Sequence, residues 1–468
     1  MRYLSTRGSA PTLAFDDVLL AGLARDGGLY VPEAWPLLSA ATIAGLAGKS
    51  YPQVVAEVTF PFVEGAIARA DYERLVGEAY AGFDHAAVAP LKQLDGNTWL
   101  MELFHGPTLS FKDYALQLLG RLLDHVLRKR GQRVTIVGAT SGDTGSAAIE
   151  AVKGRSAIDI FMLHPKGRVS EVQRRQMTSV LAPNVFNIAV EGNFDDCQDL
   201  VKAMFNDLAF RDEMQLTAVN SINFARIMAQ IAYYFWAAAA LGAPHRAVRF
   251  AVPTGNFGNV YSGYAARAMG LPVAGLQIGS NRNDILTRFF ESGAMKIEGV
   301  EPSLSPSMDI QVSSNFERLL FDLYDRRGPA VAETMAAFRD KGVYAVGGNA
   351  MASARKLFSA YRLSDPQTLA MIAEVRQRTG EIVDPHSAIG IAGPWRHPAG
   401  GGEPTIVLAT AHPAKFPDAV EQAIGLRPAL PAALAELMRR EERCAALAND
   451  AAALKAYMRA HASLKGAA

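Results

Sequence analysis

From about residue 95 onward, short apolar runs alternate with longer amphipathic stretches, and this rhythm restricts the chain more than any other feature. A short apolar strand followed by a helix-length amphipathic segment buries both where helices pack on the faces of a mostly parallel sheet. The expected fold class is therefore α/β, with open, mostly parallel sheets flanked by helices. Candidate strands are 134–137, 158–163, 185–190, 217–219, 249–252, 273–278 and 405–409. Candidate helices are 111–130, 146–153, 170–180, 194–205, 224–241 and 260–269, where apolar residues recur at helical spacing.

Residues 1–90 break the rhythm. They read as helix-rich, with loops at Asp26-Gly27-Gly28 and at 32–36, and are expected to form a separate N-terminal cap domain. The α/β pattern occupies 91–425. The tail, 426–468, is Ala-rich, and Pro431 suits the first turn of a helix, so a packing helix pair is expected there.

Composition acts mainly by exclusion. Lys plus Arg is 47 and Asp plus Glu is 46, so the formal charge of +1 supplies no field for gathering nucleic acid or an anionic membrane. Only two cysteines occur, Cys197 and Cys444, which rules out a disulfide framework and favours a reducing, cytoplasmic setting. No secretory pattern opens the chain. The most apolar stretch, 227–241, falls short of the roughly 20 residues that span a bilayer and is expected to be a buried helix.

Three segments carry potential chemistry. Pro253-Thr254-Gly255-Asn256-Phe257-Gly258-Asn259 joins a strand to a helix, a geometry that aims backbone N–H groups and the helix dipole at an anion such as phosphate; a plain tight turn is the alternative. The loop 138–145, GATSGDTG, follows another strand and crowds hydroxyls, one carboxylate and three glycines together, although Asp143 or Thr144 could simply cap the next helix. Both loops would lie at the carboxyl ends of parallel strands, where open sheets bind ligands. In the third segment, 105–113, Lys112 stands in the first turn of a helix. There the dipole disfavours its charge, as a Schiff-base amine requires, with a solvated surface lysine as the alternative. Neither glycine loop has dinucleotide G-x-G-x-x-G spacing, Gly48-Lys49-Ser50 lacks the rest of a P-loop, and scattered histidines without C-x-x-C or H-E-x-x-H give no support for a metal site.

Together, HGPTLSFKDYALQLLG, GATSGDTGSAA, PTGNFGN and TAHPAKF resemble the pyridoxal-phosphate enzymes of the tryptophan-synthase-β fold type. Within it they resemble the threonine synthase family in its long bacterial and fungal form. STRG and LLAGLARDGGLYVPE extend the likeness to the first residues, so that it spans most of 1–425 in the family's order. The resemblance implies two interleaved α/β domains in 91–425 with pyridoxal 5'-phosphate between them. It implies that Lys112 carries the cofactor and works as acid and base, that Gly255, Asn256, Phe257, Gly258 and Asn259 hold its phosphate, and that Thr410 meets its pyridine nitrogen. Thr140, Ser141 and Thr144 would contact the substrate carboxylate, and Asn220, Ser221 and Arg226 the substrate phosphate. Asp143 stands where the wider fold type commonly has Asn, which leaves the partner of the cofactor hydroxyl open. The implied reaction is hydrolytic conversion of O-phospho-L-homoserine to L-threonine by a monomer or small homo-oligomer. A fold-type-II dehydratase or phospholyase, or a non-catalytic cofactor-binding relative, are the alternatives.

Overall fold

The computed structural model describes residues 1–218, 221–398 and 400–463. Two parallel sheets dominate the described residues. One has six strands in the order Phe358–Arg362, Val273–Ser280, Val248–Pro253, Thr405–Ala409, Thr98–Glu102 and Leu91–Gln93, parallel except for the last, an antiparallel edge. The other has five, in the order Ala445–Leu447, Val185–Val190, Ile158–Pro165, Val134–Ala139 and Leu216–Thr217, all parallel. Ile158–Pro165 and Thr405–Ala409 are buried at every position, as strands covered by helices on both faces must be. The fold class is thus the expected α/β. Within the expected strand 217–219, Val219 lies outside the described residues.

The expected helices form, with ends shifted by a few residues: Lys112–Arg130, Asp143–Val152, Glu171–Thr178, Phe194–Asn206, Phe224–Ala240 and Gly258–Ala268. Phe224–Ala240 contains the most apolar stretch and is buried along nearly its whole length, against helices Tyr51–Val63, Gly258–Ala268 and Lys112–Arg130. Among the described residues, no helix is long and apolar enough to cross a membrane.

Two regions differ from expectation. The first 90 residues include, besides their helices, a three-stranded antiparallel sheet centred on Arg2–Ser5 and flanked by Leu13–Ala14 and Tyr30–Pro32. The tail is not a helix pair. After Pro431 come two single 3-10 turns, Ala432–Leu434 and Leu437–Arg439, then the strand Ala445–Leu447, and one helix, Ala451–His461. The open edge of Val185–Val190 presents unpaired N–H and C=O groups, and pairing with it outweighs the helix preference of an Ala-rich segment.

Two packing features hold the loops at the carboxyl ends of these strands. Helix Lys112–Arg130 lies against Asp143–Val152, and a Cβ on Gly120 would stand 2.4 Å from the carbonyl oxygen of Ala151. The N-terminal region is fastened to segment 315–318. Thr6 Oγ1 donates to Glu317 at 2.6 Å, and Arg7 donates to both of its oxygens at 3.1 and 3.0 Å. Arg318, fully buried, donates to the carbonyls of Tyr30 at 3.1 Å and Ile222 at 2.5 Å and to the Asn315 side chain. Gly120→Ala, in a helix interior where Ala would otherwise be favoured, is expected to destabilise by about 1–3 kcal/mol through overpacking; urea unfolding would show the loss, and a stabilised variant would contradict this packing.

Candidate active site

Four strands deliver their carboxyl-terminal loops to one place. Thr98–Glu102 leads to the segment ending at Lys112, Val134–Ala139 to Thr140–Gly145, Val248–Pro253 to Thr254–Asn259, and Thr405–Ala409 to Thr410–Lys415. The first and last are stitched together. Phe111 N donates to Thr410 O at 2.9 Å, and Ser110 bridges to Ala411.

At the centre is Asp143, 3 % exposed. Its Oδ1 accepts from Gln173 Nε2 at 2.8 Å and pairs with Lys415 Nζ at 2.7 Å; its Oδ2 faces Lys112 Nζ at 3.3 Å and the Ser307 hydroxyl at 3.2 Å. Burial opposes its charge, but Lys415 first and Lys112 second hold the carboxyl well below the usual range. It is no cap: Gly142 is the N-cap of the helix and no side chain bonds there. Lys112 is buried rather than solvated. Burial lowers its pKa, Asp143 opposes that shift, and the charges of Lys415 and Arg226 add to it.

Around this pair the glycines serve close approach. Gly142 lies at φ +133°, and a Cβ there would meet the Gln173 side chain at 2.6 Å. Thr140 Oγ1 accepts from Gly142 N and Gly145 N, both at 2.9 Å, so its acceptor capacity shapes the loop. Ser141 is exposed and Thr144 half-buried beside it. In the other loop, Phe257 takes a left-handed conformation at φ 62°, which opens helix Gly258–Ala268. A Cβ on Gly255 would lie 2.8 Å from Ser307 O, and one on Gly258 3.3 Å from Asn315 Nδ2. Asn256 is exposed, and its carbonyl accepts from Asn315 N and Nδ2. Asn259 accepts at Oδ1 from Tyr233 and Tyr234, while its buried Nδ2 has no partner among the described residues. An amide donor left over at a helix N-terminus suits an anion.

Arg226 is 5 % exposed, in the first turn of Phe224–Ala240, and burial lowers its pKa to about 10. Its Nε and Nη1 lack hydrogen-bond partners among the described residues, so it is not the surface ion pair that a lone arginine suggests. An unpaired buried guanidinium is costly unless an anion joins it. Ser221 is half-buried near Ser314, Thr410 is 6 % exposed, and Asn220 lies outside the described residues. Lys415, Gln173, Ser307 and Asn315 have no role that the sequence alone assigned. Lys415 could have been noticed as the one lysine of TAHPAKF; the other three carry no local signal.

These residues fit pyridoxal 5'-phosphate. A buried amine of lowered pKa matches its aldehyde, and a Gly-lined helix N-terminus with a spare amide donor matches its phosphate. The comparisons agree. Residues 2–80 match the family model "Threonine synthase N terminus", 84–358 "Pyridoxal-phosphate dependent enzyme", and 387–458 "Threonine synthase, C-terminal". A threonine synthase of Pseudomonas aeruginosa is 58 % identical over 462 residues, 98 % of each chain, and that of Saccharomyces cerevisiae is 40 % identical over 90 % of this chain and 89 % of its own. The crystal structure of PLP-bound threonine synthase from Brucella melitensis superposes with a TM-score of 0.98 at 55 % identity, covering 99 % of this chain and 100 % of that one.

The same region holds a histidine whose charge state is tied to its geometry. His412 Nδ1 accepts from Ala414 N at 3.1 Å, which requires an unprotonated Nδ1. Burial, then the neighbouring His105, push its pKa down to about 4. Between that value and the ordinary one near 6.5, the unfolded chain holds the extra proton, so stability falls as pH drops through this window. His412→Asn keeps an acceptor at the cap and is expected to remove roughly 2 kcal/mol of the stability lost between about pH 7 and pH 5. Urea unfolding at the two pH values checks this, and an unchanged difference would count against it.

Proposed function

Since the chain belongs to the threonine synthase family and its cofactor is pyridoxal 5'-phosphate, we propose that it converts O-phospho-L-homoserine and water into L-threonine and phosphate. The observation that supports this substrate is the pairing, in one site, of a buried amine, Lys112, with a buried guanidinium, Arg226, whose Nε and Nη1 have no partner among the described residues. The amine serves the chemistry at Cα, and the guanidinium the leaving group.

In this reading Lys112 binds the cofactor through Nζ, Gly255, Asn256, Phe257, Gly258 and Asn259 hold its phosphate, and Thr410 faces its ring nitrogen. Thr140, Ser141 and Thr144 orient the substrate carboxylate. Ser221 and Arg226, with Asn220, grip the substrate phosphate, where the planar fork of arginine matches two oxygens. When bound, the cofactor supplies an electron sink next to Cα. Lys112 Nζ, as the amine that burial favours, would take the Cα proton, deliver it to the electron-accepting π system and, neutral again, take a Cβ proton. Arg226 stabilises the phosphate dianion as it leaves Cγ. A proton returned to Cγ, water added at Cβ and a proton returned to Cα complete the product. We further propose a cytoplasmic enzyme, monomeric or a small homo-oligomer, acting on this small molecule.

Purified enzyme supplied with O-phospho-L-homoserine should release threonine and phosphate in equal amounts, and Lys112→Ala should abolish turnover; steady-state threonine formation by that variant would overturn the assignment. Arg226→Gln should raise KM for the phosphorylated substrate by at least about tenfold, since a charge-assisted hydrogen bond contributes about 1.5–3 kcal/mol. An unchanged KM would remove Arg226 from the phosphate site.

A further inference from the structure

The two oxygens of Asp143 are treated differently. Oδ1 is committed at short range to Lys415 Nζ at 2.7 Å and Gln173 Nε2 at 2.8 Å, whereas Oδ2 makes only the longer contacts to Lys112 at 3.3 Å and Ser307 at 3.2 Å. Lys415 is fully buried, and its Nζ also donates to the carbonyl of Thr108 at 2.7 Å. Thr108 in turn donates through N and Oγ1 to Asp113, the residue after Lys112. Lys415 therefore joins the Asp143 loop to the loop that delivers the reactive lysine.

We propose that Lys415 is a positioning residue that anchors Asp143 Oδ1, so that Oδ2 stays aimed at Lys112 and the cofactor, and that Asp143 and Lys415 together stand in for a neutral polar side chain. The physical need arises from Lys112. Its positive charge is not permanent, because its nitrogen must bind cofactor and shuttle protons, and each change would leave a lone buried carboxylate. Lys415 takes part in neither task and keeps the carboxylate compensated throughout. The inference rests on the cofactor assignment above and adds a residue to it.

The test is reconstitution of cofactor-free protein with pyridoxal 5'-phosphate, following affinity and the absorbance band of the lysine-bound cofactor in four proteins: the unaltered chain, Lys415→Met, Asp143→Asn and the double variant. Lys415→Met leaves Asp143 with Lys112 as its one lysine partner, and Asp143→Asn leaves Lys415 and Lys112 without their shared carboxylate, so each should weaken cofactor binding by at least about tenfold, and Lys415→Met should also move the band. The double variant removes both charges and should recover affinity to within about threefold of the unaltered chain. If Lys415→Met fails to fold, a soluble, cofactor-binding double variant gives the same support. Unaltered binding and band in Lys415→Met, or a double variant as impaired as Lys415→Met or insoluble, would overturn the proposal. No band in the unaltered chain would instead overturn the cofactor reading on which it rests.

Discussion

A single buried carboxylate between two lysines organises this molecule's chemistry. Asp143 comes from the loop after Val134–Ala139, Lys112 from the segment after Thr98–Glu102, and Lys415 from the segment after Thr405–Ala409. One charge thus ties strands of two different sheets together at their carboxyl ends. Buried ions demand partners, so these loops are held in register by the cost of separating them as well as by packing. Two lysines and Arg226 against one aspartate leave the site short of negative charge, which anionic cofactor and substrate groups supply.

The rest of the structure keeps that constellation in place. Gly120 lets the helix carrying Lys112 lie directly on the helix carrying Asp143. Segment 305–318 adds further contacts. Ser307 reaches Asp143 and crowds Gly255, Ser313 donates to Gly255 O at 2.8 Å, and Asn315 holds the carbonyls of Ser221 and Asn256. Arg318 and Glu317 then fix this segment to Tyr30, Thr6 and Arg7. The N-terminal region is therefore connected to the anion loops through Glu317 and Arg318 of one helix and through Asn223, whose Nδ2 donates to Leu19 O at 2.9 Å.

Much of the fold was legible along the chain because strands buried on both faces carry apolar runs, as at 160–163 within Ile158–Pro165 and 406–409 within Thr405–Ala409. In the two large sheets, the strands that escaped notice are short or mixed in polarity: Leu91–Gln93, Thr98–Glu102, Phe358–Arg362 and Ala445–Leu447. Each forms because a neighbouring strand offers a ladder, which no local pattern records. The tail shows the same point, since its Ala content favours helix while the open sheet edge recruits part of it as a strand.

By itself, the sequence determined the chemical vocabulary of the site. Gly-rich turns between strand and helix, a lysine at a helix start and the TAHPAKF segment are local arrangements, readable because backbone geometry is set by neighbouring residues. Only the tertiary structure decided which charges meet. That Asp143 is shared by Lys112 and Lys415, that Ser307 closes over Gly255 and that Arg226 is buried with two unpaired nitrogens among the described residues depend on contacts between residues up to hundreds of positions apart. Burial and distance set the strength of each charge, and neither is a property of a residue until the chain has folded around it.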